Sequence, residues 1–477
     1  MLVSRKAPLN FARRRDTRYP IWRMSDYAAA VQSLLARTAE LTTRRKFDPE
    51  HMRILAHAIG DPQRHFTAIL IAGTNGKGST AATLAAIIAA AHIRTGLYTS
   101  PHLSRINERI RVQGQPIADE DFARLYFQVD DTANQLVASG ELPCQPSFFE
   151  TVTAIAFLAF ANRVDIAVLE VGLGGRLDAT NIVDPLLSIL TDIDIDHTEW
   201  LGPTLTHIAR EKAGILRQNG WLVTLPQHPE ANQVIGEVAT ALDVAAINAA
   251  EYMPYKTTQP DQLQAGPEEA PDSPGLRNRY TIQFAGAELQ IDSPLAGQHQ
   301  QRNIALAIAA AVAISNQYGY EITAADIARG VADTNWPGRL ELIPGAPAIL
   351  LDVAHNPAGA WTLRAALSDL DAAHPYKKKT LLFGCLADKP ADQLAQILFP
   401  LFDELVLTRP TSPRAADPTQ LATLATTLRT KSQVVDQPAA ALEAALAVTP
   451  PEGLLVIAGS VYLVGELRPI LIQKAPE

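Results

Sequence analysis

The sequence predicts an α/β protein: a mostly parallel sheet domain built around a glycine loop, followed by a smaller α/β domain. Three observations predict it. Short apolar runs, among them DIAVLEV (165–171) and LLSILT (186–191), alternate with helical stretches of ten or more residues. That is the signature of parallel strands covered on both faces. One such run, 66–72, feeds the stretch IAGTNGKGST (71–80) and then an alanine-rich helix. After Trp336-Pro337-Gly338 a second series of strands and helices begins.

Taken in order, 26–36 and 49–59 read as helices, the first with Ser25 as N-cap. A strand over 66–72 leads through the glycine loop into a helix over 79–91. A helix over 149–162 precedes the strand 165–171, and further strands follow at 186–191 and 221–225. Residues 254–276 (PYKTTQPDQLQAGPEEAPDSPGL) read as a mobile surface excursion. Residues 279–284 and 287–291 flank Ala285-Gly286 as a hairpin, and 304–315 is an apolar helix. In the second series, strands are expected at 348–352, 380–384, 404–408 and 454–458. The domain boundary is placed near 333–338, giving a basic extension 1–23, a first domain 24–335 and a second 336–477.

Composition limits the function. The chain has 477 residues, 47% hydrophobic and 19% charged, which suits two or three globular domains. A formal charge of −9 excludes a nucleic-acid or membrane-surface protein as a whole, so any anionic ligand needs a local cluster of donors. Cys144 and Cys385 lie far apart with no metal-ligand spacing, which fits a reducing compartment. The apolar run 81–91 is shorter than the roughly 20 residues a membrane span needs. The first 23 residues carry seven Arg or Lys against Asp16 alone. A transit peptide, a basic tail or an early start codon ahead of Met24 would each give that pattern; MSDYAAAVQSLL opening straight into a helix favours the latter two.

The glycine loop departs from the usual phosphate-loop pattern, with Ile71 where a glycine is wanted and Gly78 directly after Lys77. Gly73, Gly76 and Gly78 still allow a tight turn with its N–H groups converging, and Lys77 adds a charge for phosphate. A hydroxyl at Ser79 or Thr80 can reach magnesium. A plain strand-to-helix turn satisfies the same residues. Glu170, at a strand end before Gly172, Gly174 and Gly175, suits a metal or a solvated turn; apolar neighbours on both sides favour the metal. Asp192, Asp194 and Asp196 alternate as in a calcium loop, but His197 and Pro203 stand where that loop needs glycine and glutamate. Asp196 or His197 then serves a magnesium or substrate site, or the surface. Lys212 in the last turn of a helix has a plain electrostatic explanation. Asp352 and His355 follow a strand, and Asp352 with Arg339 can face a nucleotide across a domain cleft.

Together GTNGKGST, TSPHLSRINERIRV, PSFFETVTAIAF, LEVGLGGRLDATN, DHTEWLG, REKAGI, GQHQQRN, PGRLE, DVAHNP and GSVYLVGE resemble one family from about Met24 onward. It is the folylpolyglutamate synthase and dihydrofolate synthase branch of the Mur-type amide ligases. The resemblance implies a P-loop-containing sheet domain followed by a Rossmann-like glutamate-ligase domain. It implies ATP binding by Gly76, Lys77, Gly78, Ser79, Asn303, Arg339 and Asp352, and one or two magnesium ions on Ser100, Glu170 and His197. It also implies catalytic roles for Lys77, Lys212 and His355, with Lys212 carboxylated on its amine. Pterin would meet Pro146, Ser147, Phe148, Phe149, Leu177, Asp178 and Ala179, and Ser460 would meet the incoming glutamate. The implied partners are ATP, L-glutamate and dihydropteroate or tetrahydrofolate, in a cytoplasmic monomer with no nucleic acid or membrane. The FFE segment near Phe148 resembles the bifunctional type. A cell-wall Mur ligase would need a UDP-binding domain that 24–72 is too short to supply. An ATP-driven switch protein is the rival outside the ligases.

Overall fold

The computed structural model describes residues 26–37, 48–254 and 276–474. The basic extension 1–23, Ser25 and nearly all of the Pro/Glu-rich stretch lie outside them. The first helix, Tyr27–Ala36, is capped instead by Asp26, whose carboxylate accepts the Ala29 N–H at 2.9 Å.

The first sheet has eight strands: β1 (Thr67–Ala72), β2 (Thr95–Tyr98), β3 (Ile110–Val112), β4 (Gln115–Pro116), β5 (Ile166–Glu170), β6 (Pro185–Leu190), β7 (Trp221–Thr224) and β8 (Ala245–Asn248). Their order is β4-β3-β2-β5-β1-β6-β7-β8, parallel from β2 to β8 with an antiparallel edge at β3 and β4. β1 lies at its centre, and its alternation explains why it reads as one apolar run. Ala68, Leu70 and Ala72 enter the core on one face, Ile69 and Ile71 the core on the other. The second face is closed by helices Lys77–Ala90, Gln298–Tyr318 and Ala324–Ala332. β9 (Asn278–Phe284) and β10 (Ala287–Ser293) form the expected hairpin.

The second sheet comprises β11 (Glu341–Ile343), β12 (Ala348–Leu351), β13 (Lys379–Phe383), β14 (Glu404–Leu407), β15 (Ser432–Val434) and β16 (Leu454–Ala458). Its order is β11-β12-β16-β13-β14-β15, parallel except for β11, with a separate apolar core on each face. The architecture is thus the expected mixed α/β one with two large, mostly parallel sheets. Short edge strands such as β4, β11 and β15 carry too few residues to show a period in the sequence. Among the described residues no helix is long and apolar enough to cross a membrane.

The two sheets meet along a seam at the carboxyl ends of their central strands. Loop 99–105 of the first leans on helix Val461–Lys474 of the second, where Ser104 Oγ donates to the Gly465 carbonyl at 2.9 Å. Leu103 packs against the apolar core of the second sheet.

Candidate active site

The glycine loop leaves the end of β1, the place where open parallel sheets bind ligands. Gly76 is left-handed (φ +86°), and the helix begins at Lys77, two residues earlier than the expected Ser79. The first turn therefore presents the N–H groups of Lys77, Gly78 and Ser79 at the positive end of a 14-residue helix. Glycine is needed at 76 and 78 for close approach as well. A Cβ on Gly76 would lie 2.9 Å from Asn303 Cγ, and one on Gly78 would lie 2.6 Å from the Trp336 ring. Lys77 Nζ donates to the Gly73 and Thr74 carbonyls, each at 3.0 Å, while the Thr74 and Asn75 N–H groups donate to the Asp192 carbonyl. Arg302 grips the Asp192 carboxylate through two nitrogens and so holds that carbonyl in place.

Lys212 reaches the same loop from helix Leu205–Ala213. It is buried, and its Nζ donates to the Gly73 carbonyl at 2.7 Å, so two lysines share one oxygen. Burial first, and the Lys77 charge second, hold the Lys212 ammonium well below the ordinary lysine range. A pocket of about 260 Å³ opens here, lined by Gly73, Lys77, Gly172, Asp196, His197 and Lys212 among others. Burial pushes the Asp196 carboxyl up, but His197 and Lys389 outweigh it and hold the group below its usual range. His197 is half-exposed, left-handed (φ +49°), and pushed below its usual range by burial.

A second cleft of about 490 Å³ lies on the other side of the loop, between the sheets, and takes in Ser100, His102, Glu170, Arg111, Trp336 and Arg339. Glu170 ends β5 in register with Ile71 of β1, which puts its carboxylate beside the loop. It is buried, and its Oε2 accepts the Ser100 N–H at 2.9 Å. Burial raises the carboxyl, with Lys77 and that N–H opposing. Lys77 acts on Glu170, His197 and Lys212 alike, so its ammonium is their common neighbour. The three residues implied for metal do not line one pocket: Ser100 and Glu170 line the larger cleft and His197 the smaller. Among the described residues no three His, Cys, Asp or Glu side chains converge as a metal site.

The second sheet supplies the far wall. Arg339 is half-buried by surface, yet its guanidinium is enclosed and pushed down by burial, with Asp352 and Glu170 opposing. Asp352 is buried, and its two oxygens accept the Leu340 and Ala354 N–H groups at 2.9 and 2.8 Å. His355 Nδ1 lies 2.9 Å from the Val353 carbonyl, and burial pushes the imidazole down to about 4. It is therefore neutral at pH 7, with Nδ1–H donating and Nε2 left as an acceptor. Asn303, on helix Gln298–Tyr318, donates from Nδ2 to Gln300 Oε1 at 2.8 Å and turns Oδ1 toward Gly76. Ser460 is buried and accepts the Tyr462 N–H at 3.1 Å, capping the last helix.

The residues implied for pterin divide. Phe149 covers Gly172, where a Cβ would lie 2.5 Å from the ring, and Phe148 carries the Arg109 guanidinium 5.1 Å from its centroid. Ala179 is buried, Leu177 half-buried, and the Pro146 carbonyl accepts from Arg37 at 3.5 Å. Ser147 caps helix Phe148–Phe160 in a capping box with Glu150. Asp178 is spent on its own loop, one oxygen accepting the Gly172 and Leu173 N–H groups and the other both Thr180 donors.

Two residues of the site carried no signal in the sequence reading. Arg109 is buried, donates to His102 Nδ1 at 2.9 Å, and has no carboxylate in ion-pair contact among the described residues. Burial pushes His102 down to about 3, so it accepts from Arg109 as a neutral ring and leaves a buried cation for an anionic ligand. Lys389 extends from the second domain to act on Asp196, His197 and His355 together. A pattern search could have paired Arg109 with the Arg of PGRLE only by knowing that both are buried.

Comparison with known proteins places the chain in a family. Residues 71–311 match the Mur ligase middle domain and 338–461 the Mur ligase glutamate ligase domain. The chain is 35% identical over 428 residues to the folylpolyglutamate synthase of Lacticaseibacillus casei, covering 89% of this chain and 94% of that protein. It is 30% identical over 450 residues to the dihydrofolate synthase/folylpolyglutamate synthase of Escherichia coli, covering 94% and 95%. Among solved structures, Mycobacterium tuberculosis folylpolyglutamate synthase complexed with ADP and AMPPCP superposes with a TM-score of 0.79 at 31% identity, over 94% of this chain and 100% of that one. The E. coli FolC complex with DHPP and ADP gives 0.78 at 29%, over 94% and 98%. The chain therefore belongs to the folylpolyglutamate synthase and dihydrofolate synthase branch of the Mur ligases, ATP-dependent enzymes that form C–N bonds.

Proposed function

We propose that the enzyme adds L-glutamate both to dihydropteroate and to tetrahydrofolyl-(poly)glutamate through an acyl phosphate. The observation that carries this reading is the convergence of Lys77 and Lys212 on one carbonyl of the glycine loop, in a pocket shared with Asp196 and His197. Attack of a carboxylate on a γ-phosphate brings two anions together, and Lys77 places a positive charge beside the loop where they would meet. ATP would lie with its phosphates on the first turn of the Lys77 helix and its nucleoside between Asn303, Arg339 and Asp352. The substrate carboxylate takes the γ-phosphoryl group, with ADP as the leaving group that remains bound. The glutamate amine then attacks the acyl carbon, and the tetrahedral intermediate collapses to amide and phosphate. Preorganised charge at Lys77 lowers the barrier to the first step. The second domain, with Arg339 and Lys389, shields the acyl phosphate from water.

The donor set fits a divalent cation in part. Glu170 offers a buried carboxylate with one oxygen bonded to the Ser100 N–H, and Ser100 adds a hydroxyl at the same cleft. Bound there, magnesium would neutralise charge developing on the phosphates. His197 lies in the neighbouring pocket on the Lys77 side of the loop. Lys212 suits carboxylation because burial shifts it toward the neutral, nucleophilic amine: the amine adds to CO2 and releases one proton. The carbamate would turn the repulsion between Lys77 and Lys212 into attraction. His355 is too weak a base to deprotonate an ammonium, so we assign it to accepting a hydrogen bond from the incoming amine. Arg109 in the first domain and Ser460 in the second would each receive a carboxylate. We also assign 24–335 to the ATP-binding domain and 336–477 to the ligase domain; the first sheet ending at Asn248 and the second starting at Glu341 support that division.

A panel with radiolabelled glutamate, ATP and either dihydropteroate or tetrahydrofolate tests the reading. Label should enter both products, with ADP released only when both co-substrates are present. ADP release indifferent to them would sink the ligase reading, and label in the folate product alone would restrict it to chain extension.

A further inference from the structure

Phosphate binding at a glycine loop uses backbone N–H groups and a lysine, yet this loop also carries a polar side chain, Asn75, between Thr74 and Gly76. Its partner lies 281 residues away. Asn356 Nδ2, in the second domain, donates to Asn75 Oδ1 at 3.2 Å. The orientation of the Asn356 amide is fixed independently. Asn356 caps helix Pro357–Ala373, and its Oδ1 accepts the Gly359 N–H at 2.8 Å, which leaves only Nδ2 to face the loop. Asn356 is buried, and the turn before it is held by Asp352, which accepts the Leu340 and Ala354 N–H groups. The Asn75 side is equally constrained. Its N–H and that of Thr74 donate to the Asp192 carbonyl, and Lys77 ties down the carbonyls of Gly73 and Thr74.

The glycine loop is thus gripped by the first domain at its backbone and by the second at a side chain. We propose that the Asn75–Asn356 hydrogen bond is a latch that couples seating of the second domain to the phosphate-binding shape of the loop, with Asn356 a positioning residue for phosphoryl transfer. The proposal rests on the ligase reading above. A latch of this kind lets ATP be cleaved when Arg339 and Lys389 are in place, and disfavours cleavage when the domains are apart.

A double-mutant cycle on the full chain tests it. Asn356→Ser keeps a good capping oxygen and removes the donor; Asn75→Ala removes the acceptor. Each single variant should lower kcat/KM for ATP about 3- to 10-fold, the range for one neutral hydrogen bond. Each should also raise the ratio of ADP released to amide formed. The double variant should be no more than about twofold worse than the poorer single one, because the two changes break the same bond. Asn356→Ser should keep the wild-type Tm, since the helix cap survives. Losses that multiply in the double variant would overturn the latch, as would wild-type kcat/KM and coupling ratio in both singles. Wild-type ADP release without glutamate would instead remove the ligase reading, and the latch with it.

Discussion

Gly465→Ala is the sharpest probe of the seam between the domains. Gly465 sits on helix Val461–Lys474 with its Cα against the backbone of Leu103 in the first domain. A Cβ there would penetrate the Leu103 carbonyl oxygen and lie 2.7 Å from its carbon. Loop 99–105 cannot retreat easily. The Glu108 carboxylate accepts the N–H groups of Leu103, Ser104 and Arg105 at 2.8 to 3.2 Å, and Thr99 N–H is bonded to Arg109. The helix must therefore move, by on the order of 1 Å if carbon and oxygen are to reach ordinary contact. Overpacking of this kind costs about 1–3 kcal/mol. Stretching the 2.9 Å bond from Ser104 to Gly465 forfeits roughly another 1 kcal/mol. A docked state weakened by about 2–4 kcal/mol lowers kcat/KM roughly 30- to 1,000-fold, if catalysis needs docking. The helix itself gains, because alanine is better than glycine there by about 1 kcal/mol. Each sheet keeps its own core, so Tm should fall by only a few degrees. The assay is glutamate-dependent ADP release alongside a thermal melt. Wild-type kcat/KM in Gly465→Ala would refute the claim that this seam must close for turnover.

Lys77→Ala removes the charge common to both pockets, and should cut kcat by at least about 10²- to 10³-fold with the circular-dichroism spectrum unchanged. Protein equilibrated with 13C-bicarbonate should show a carbamate resonance that disappears in Lys212→Met; its absence in active wild type would exclude carboxylation. His299 is pushed down to about 4 by burial, with Arg339 adding to the shift. The unfolded chain takes up this proton near pH 6.5 and the folded chain only near 4, so stability is lost as pH falls through that window. Relative to His299→Gln, wild type should lose stability at a limiting slope of about 1.4 kcal/mol per pH unit, measured by denaturant melts; parallel pH profiles would refute it.

What could be read from the sequence followed from periodicity and from glycine. β1, β5 and β6 were legible because strands buried on both faces are apolar throughout, and Gly76 and Gly78 because loop chemistry requires them. The helix start was displaced by two residues because Gly78, a poor helix former, sits inside the first turn, where the N–H groups have no helical partner to lose. Asp26 replaced Ser25 as cap because either side chain suits the position and only geometry decides. Buried cations were not legible. Arg109 stands in the motif TSPHLSRINERIRV, which does not single it out, and folding encloses it over Phe148. Lys389 belongs to a turn 177 positions beyond Lys212 in the chain, and nothing local says that both act on His197. The motif around Asp178 does not announce the four hydrogen bonds by which its carboxylate holds its own loop.

The distribution of charge explains why the site needs two domains. The chain as a whole is acidic, so long-range steering works against anionic substrates. Attraction must come at short range, from cations whose own desolvation has already been met by folding. Lys77, Arg109 and Arg339 are such groups, and none has a direct carboxylate ion pair among the described residues. Leaving three such cations unpaired costs stability. That cost is tolerable only where ligand carboxylates and phosphates complete the pairs, and it is lowered by splitting the cations between two separately cored domains. Saturating nucleotide should accordingly raise Tm more than its affinity for an exposed cluster of equal charge would, and more in wild type than in Arg339→Met. An equal nucleotide-induced rise in both would mean that Arg339 is paired within the protein and carries no part of the ligand's charge.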